Sequence, residues 1–236
     1  MSEITFRSDM TVDLIDSMGN DDSVIRAAKV STMTDTTVDD MSAAGKEKFI
    51  DFLVANRHGS PFEHVLFTFR IEAPIFVWRE FMRHRMASYN EESGRYTELK
   101  PVFYIPDRDR NLVQVGKPGE YLFTQGDPSQ VQSTDWALTG VSAHAYSEYR
   151  YLLERGIARE VARMVLPLNI YSTAYVTMNL RSLTNFLSLR RNVEGQTFPS
   201  FPQREIEMVA ELMEDHADSI VPITLEAFRR NGRVAL

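Results

Sequence analysis

The sequence predicts an α+β protein, a mixed or antiparallel β-sheet packed with helices, with strands early in the chain and helices late. Three observations lead there. Val65, Phe67, Phe69 and Ile71 alternate with His64, Thr68, Arg70 and Glu72, which is the period of a half-buried strand. Apolar stripes at helical spacing dominate the second half of the chain. No regular strand-helix alternation of a doubly wound sheet is present, and no Pro/Gly/Ser-rich linker cuts the 236 residues, so a single domain over 1–236 is expected.

Taken in order, Ile4 to Arg7 and Thr11 to Ile15 read as short strands. Gly19-Asn20-Asp21-Asp22 then supplies a turn and an N-cap for a helix through Ala28. Ala43 to Asn56 reads as a helix with Phe49, Ile50, Leu53 and Val54 on one face and Gly59 as its stop. Pro61 to Glu72 is the clearest strand, and Pro74 opens a helix that ends at Arg83-His84-Arg85. From Tyr104 to about Trp136, Pro106, Gly116, Pro118, Gly119, Gly126 and Pro128 predict an irregular excursion with at most one short helix. Helices are expected over Val141–Arg155, Ala158–Leu166, Ser172–Arg190 and Gln203–Asp218.

Composition narrows the function classes. The net charge of -7 argues against a general nucleic-acid binder, which needs a basic face to displace counterions. No apolar run approaches the roughly 18 residues that span a bilayer, and the start MSEITFRSDM lacks a secretory pattern, so a cytoplasmic location is expected. With no cysteine, thiol nucleophiles and thiolate metal sites are excluded. His58, His64, His84, His144 and His216 show no ligand spacing, and no metal site is expected.

Against that acidic background, Arg83 to Arg95 packs three arginines, a histidine and two glutamates into thirteen positions. Guanidinium forks, a hydroxyl at Ser93 and a glycine at 94 suit a phosphate bound together with a heterocycle. Arg-His-Arg alone also reads as a helix end whose cations complement its dipole. His58 to His64 places two histidines and a glutamate around a turn, or is simply a capped loop. Arg159 and Arg163 share a helical face, as a solvated salt-bridged face also would. Asn179, Arg181, Asn185 and Arg190 sit among leucines and Phe186, where polar groups need partners. A flavin or pyrimidine ring supplies them, and so do interhelical hydrogen bonds.

The run RHRMASYNEESGRY resembles the signature of the flavin-dependent thymidylate synthases: Arg83, His84 and Arg85, then Ser93 after seven residues. MGNDDSVIRAAKVS, HGSPFEHVLFTF, APIFVWREFMRHR, REVARMVLPLN and NLRSLTNFLSLR extend the resemblance over most of the chain. It implies conversion of dUMP to dTMP, with 5,10-methylenetetrahydrofolate as carbon donor, FAD as redox carrier and NADPH as reductant, in a homotetramer with shared sites. By matching position, Arg83, His84 and Arg85 contact FAD, with Ser60, Glu91, Asn179, Arg181 and Asn185 completing its site. His58 lies near flavin and folate. The dUMP site takes Glu80, Arg83, Glu91, Glu92, Ser93, Gly94, Arg95, Arg163 and Arg190. Two positions depart from the pattern. Glu80 stands where relatives often have glutamine, which calls for a cation such as Arg79 or Arg83 beside it, and Glu194 stands where some have histidine.

Without a cysteine to add to C6 of uracil, activation of C5 has to come from polarising the ring, and Arg190 is the candidate for holding the anionic edge. Ser93, with no base assured beside it, is assigned to binding. Rival readings are a catalytically inactive nucleotide-binding regulator of the same fold and an RNA-binding module.

Overall fold

The computed structural model describes residues 3–32, 38–117 and 122–236. Among them the α+β expectation holds, with β1 (Thr5–Arg7), β2 (Thr11–Met18), β3 (Leu66–Pro74), β4 (Ser88–Glu91), β5 (Val102–Tyr104), β6 (Val113–Val115) and β7 (Leu122–Thr124) ahead of the long helices of the chain's second half. One strand, β8 (Tyr171–Asn179), comes later. The helices are α1 (Asp21–Lys29), α2 (Ala43–Ala55), α3 (Ile75–Phe81), α4 (Pro128–Glu154), α5 (Arg159–Ala162), α6 (Leu180–Arg190), α7 (Arg204–Asp218) and α8 (Pro222–Arg230). Strands β2, β3, β8 and β4 form a four-stranded sheet in that order, β1 pairs with β5 in parallel and β6 with β7 antiparallel.

Contacts divide the chain into two compact units, one of residues 1–9, 72–79 and 91–173 and one of 10–71, 80–90 and 174–236. The first unit is centred on Phe103, Tyr149, Ile170 and Ala162, with Tyr146 and Phe6 packed around them. Tyr149 and Tyr146 use their hydroxyls on the backbone of Leu99, the first donating role falling to Leu99 N–H at 3.2 Å and the second to the Tyr146 hydroxyl at 3.2 Å. The second unit buries Ile25, Ile50, Phe62, Phe67, Phe69, Phe186 and Phe228 completely.

Several boundaries differ from the sequence pattern, each for a local reason. Pro61 and Phe62 belong to a 3₁₀ turn over Ser60–His64, and the strand starts only at Leu66. Helix α2 ends at Ala55, and two residues on Arg57 takes the left-handed φ of +57° while His58 N–H returns to the Leu53 carbonyl at 2.9 Å. Gly59, at φ -72°, is there for closeness instead: a Cβ would stand 2.7 Å from Nε of Arg181. Helix α4 begins at Pro128, far inside the expected excursion, because Asp127 accepts from Ser129 and Gln130 N–H while the Gln130 side chain returns to Asp127 N–H. Pro118 and Gly119 of that excursion lie outside the described residues. The helix expected from Ser172 is a strand up to Asn179, where Ser172, Ala174, Val176 and Met178 alternate inward, and α6 follows without a loop.

The first and last helices of the second unit are joined by one side chain. Asp21, buried in α1, accepts from Ile223 N–H (2.9 Å), Thr224 N–H (3.0 Å) and the Thr224 hydroxyl (2.6 Å), and so caps α8, which has no cap of its own. Asp21→Ala removes the cap and leaves buried donors unpaired, so urea denaturation is expected to show a loss of about 2–3 kcal/mol. An unchanged midpoint would show that water replaces the carboxylate without cost.

Candidate active site

Helix α3 ends in a tight turn in which Arg83 N–H reaches the Glu80 carbonyl and His84 N–H the Phe81 carbonyl. Tyr89 closes the loop from the other side, its hydroxyl donating to the carbonyls of His84 (2.7 Å) and Phe81 (3.3 Å). Burial pushes that phenol up to about 12, so it stays a donor. Phe81 anchors the turn, 4.6 Å from the Phe186 ring and edge-on to Tyr89 at 5.9 Å. The Arg-His-Arg backbone is thus fixed from beneath by aromatic packing and at its ends by one hydroxyl.

Arg190, the last residue of α6, points at this loop. Its Nη1 pairs with Glu80 Oε1 and its Nε donates to Nε2 of His84 at 2.9 Å. A guanidinium N–H can only donate, so Nε2 is the acceptor and the imidazole carries its proton on Nδ1. Burial and the Arg190 charge both hold the His84 pKa down, to about 4, and the ring is neutral at ordinary pH. The ring lies edge-on to Phe186 at 4.8 Å. Glu80 takes Arg190 as its cation, instead of Arg79 or Arg83.

Beside this triad opens a cavity of about 190 Å³, with Arg83, Arg85, Asn185 and Arg190 among its polar groups and Met86, Met178 and Leu189 as apolar wall. Cationic forks, an amide and a thioether-lined wall match what a flavin nucleotide presents, namely phosphates, a polar ring edge and a flat apolar face. The volume holds one part of such a ligand.

The other expected residues fall into two groups. In the second unit, Asn179 caps α6, accepting from Ser182 N–H at 2.8 Å. Arg181 is committed to Glu63 Oε1 (2.5 Å) and the Leu236 carbonyl (2.9 Å), against Gly59, and does not line the cavity. Ser60 starts the 3₁₀ turn, and His58 is exposed and stacked on Phe52 at 5.7 Å. In the first unit, Glu91 accepts from the Ser172 hydroxyl at 2.6 Å and Glu92 from Thr173 N–H at 3.2 Å. Burial raises the Glu92 pKa. Ser93 starts a turn, its carbonyl taking Tyr96 and Thr97 N–H and its hydroxyl Arg95 N–H. Gly94 is buried, and a Cβ there would meet Cδ1 of Leu99 at 3.0 Å and Cδ of Arg163 at 3.2 Å, so the arginine stem lies on the glycine. Arg95 pairs with Glu160 at 3.0 Å. Glu194 is exposed. Tyr89 and Phe186 were not expected as parts of the site; the only signal was an aromatic at each position, which core packing also explains.

A basic, cysteine-free, partly exposed site of this kind on an α+β scaffold has the chemistry to hold an anionic nucleotide. The family model described as thymidylate synthase complementing protein matches residues 13–223. A flavin-dependent thymidylate synthase of Streptomyces coelicolor is 50% identical over 236 residues, covering 99% of this chain and 96% of its own. One from Tropheryma whipplei is 52% identical over 231 residues, covering 98% and 96%. Among solved structures, the UMP/dUMP methylase PolB from Streptomyces cacaoi bound with 5-Br dUMP superposes with a TM-score of 0.93 at 46% identity, covering 99% of this chain and 100% of that one. The chain therefore belongs to the thymidylate synthase complementing protein family, that of the flavin-dependent thymidylate synthases.

The neutral state of His84 has a consequence for stability. Its pKa is about 4 in the folded protein and near 6.5 when unfolded, so the unfolded chain binds the extra proton first. The contribution is fully present above pH 6.5 and is lost as pH falls toward 4. Urea midpoints of wild type and His84→Gln, whose amide oxygen can still accept from Arg190, are expected to diverge over that window, the wild type falling more steeply. Parallel pH profiles would mean that His84 titrates normally.

Proposed function

We propose that the chain carries out the reductive methylation of dUMP to dTMP in the cytoplasm, with 5,10-methylenetetrahydrofolate as one-carbon donor, FAD as redox carrier and NADPH as reductant. The observation that carries this is Arg190, its guanidinium aimed by Glu80 and neutral His84 at a cavity rimmed with arginines, in a chain without cysteine. In this reading Arg190 stabilises negative charge on the uracil edge as C5 becomes nucleophilic, and a preorganised donor of this kind contributes about 2.7–4 kcal/mol. Glu80 and His84 use Nη1 and Nε and leave Nη2 for substrate, with the side chain 18% exposed.

Arg83, Arg85 and Asn185 would hold FAD beside His84, with Asn179, Ser60, Glu91, Arg181 and His58 in supporting contacts. The flavin, once reduced by NADPH, would supply the hydride that completes the methyl group. Arg181 would have to leave Glu63 to serve it. Arg95 and Arg163 would bind the dUMP phosphate, by charge-assisted hydrogen bonds of about 1.5–3 kcal/mol each, with Ser93 and Gly94 giving close backbone approach and Glu92 a further acceptor. A homotetramer with shared sites is part of the same proposal. Exposed Met164, Leu168, Phe198 and Phe201 support it, as side chains that a subunit contact would cover.

The first test is tritium release from dUMP labelled at C5 with FAD, NADPH and methylenetetrahydrofolate all present; no release rejects the proposal. Arg190→Ala is expected to lose about 10²–10³-fold in turnover while retaining flavin absorbance. Near-normal turnover would move the activating role to another group. A colourless protein that refuses FAD yet binds dUMP would favour a regulator of the same fold.

A further inference from the structure

Glu214 of α7 is only 1% exposed, yet its carboxylate serves three arginines. Oε1 accepts from Arg229 Nε (3.0 Å) and Arg233 Nη1 (3.0 Å), and Oε2 from Arg191 Nη1 (2.7 Å) and Arg233 Nη2 (2.5 Å). Burial pushes this carboxyl up, but Arg233 and Arg191 prevail and hold it down at about 2. The arrangement is costly. Nε of Arg191 and of Arg233 are buried without hydrogen-bond partners, and Arg233 sits at a left-handed φ of +55°. A well-packed apolar cluster would stabilise the fold at least as well.

What the hub adds is a fixed position for the residue after Arg190. Arg191 leaves the helix with extended backbone, φ -123° and ψ 139°, so neighbouring side chains diverge: Arg190 toward Glu80 and His84, Arg191 toward Glu214. The Arg191 carbonyl is held as well, accepting from Gln196 Nε2 (2.9 Å) and the Ser200 hydroxyl (2.6 Å). Glu207, also on α7, accepts from Asn192 N–H at 2.9 Å. Two consecutive residues are therefore clasped by two carboxylates of one helix.

We infer that Glu214 is a positioning residue: through Arg191 it locks the exit of α6 and so holds the Arg190 guanidinium in register with His84 and Glu80. For turnover this rests on the proposed reaction; for geometry it does not. Arg191→Met cuts the tether while leaving Glu214 paired with Arg229 and Arg233. In the full-length protein, the His84 imidazole titration, followed by NMR, should rise from about 4 toward 6.5 as Arg190 detaches. Turnover should drop about 10- to 100-fold, as for a misplacement of about 1 Å, with flavin content unchanged. Arg191→Lys, which returns a cation to Glu214, should recover much of both. In an Arg190→Lys background, Arg191→Met should add little, since both changes act on one contact. Glu214→Gln, where it folds, should displace His84 in the same direction.

An unmoved His84 titration with normal turnover in Arg191→Met overturns the inference, even if the melting temperature falls. Full additivity with Arg190→Lys overturns it too, because it assigns Arg191 a structural role only. If wild type releases no tritium yet His84 shifts in Arg191→Met, the proposed reaction fails and the positioning role stands.

Discussion

The guanidinium at the end of α6 is held still by groups that leave its Nη2 open, and the site is organised around this constraint. Glu80 and His84 meet it jointly. The carboxylate fixes Arg190 by charge, and the imidazole fixes the same group by accepting a hydrogen bond while remaining neutral. A second carboxylate in place of His84 would compete with an anionic ligand for the cation. A protonated histidine would repel it. Burial against Phe81 and Phe186 is what keeps the ring neutral, so the aromatic core beneath the loop sets the electrostatics above it.

Around this point the secondary structure has a simple division of labour. Helices α3 and α6 bring their C-terminal ends together and there deliver the charged residues. Tyr89 ties the loop between Phe81 and His84, and Asn179 starts α6 directly from the end of β8, with no flexible connection. Polar groups at the ends of rigid elements hold their geometry better than groups on free loops. Gly59 and Gly94 contribute in a different way, by having no side chain where an arginine must pass.

The local features of this architecture were legible in the sequence, and its long-range partnerships were not. The alternation from Val65 to Ile71 and the dense run from Arg83 to Arg95 announce a strand and a polar loop without further information. The start of α4 was also present as Asp127-Pro128-Ser129-Gln130, a capping box, but proline and glycine nearby read as interruption. Strand β8 was hidden because Asn179 ends the strand and caps the helix at once, leaving no turn signal between them. Nothing in the pattern after Asp218 marks α8 beyond Pro222, since its cap comes from Asp21. The partnership of Glu80 with Arg190 spans 110 positions, and the convergence of Arg191, Arg229 and Arg233 on Glu214 has no local signal either. Residue types and spacing show which groups carry charge, whereas only the folded chain shows which charge answers which.

The cap that Asp21 places on α8 also imposes an order of assembly. Its carboxylate and the Thr224 hydroxyl are 203 positions apart, so during synthesis Asp21 waits without these partners until nearly the whole of the second unit has been made, although α1 already has α2 beside it. Closure of this one contact is therefore among the last events the chain can complete. A contact of such sequence separation makes closure slow and leaves the burial of Asp21 without its hydrogen bonds until the C-terminal segment arrives.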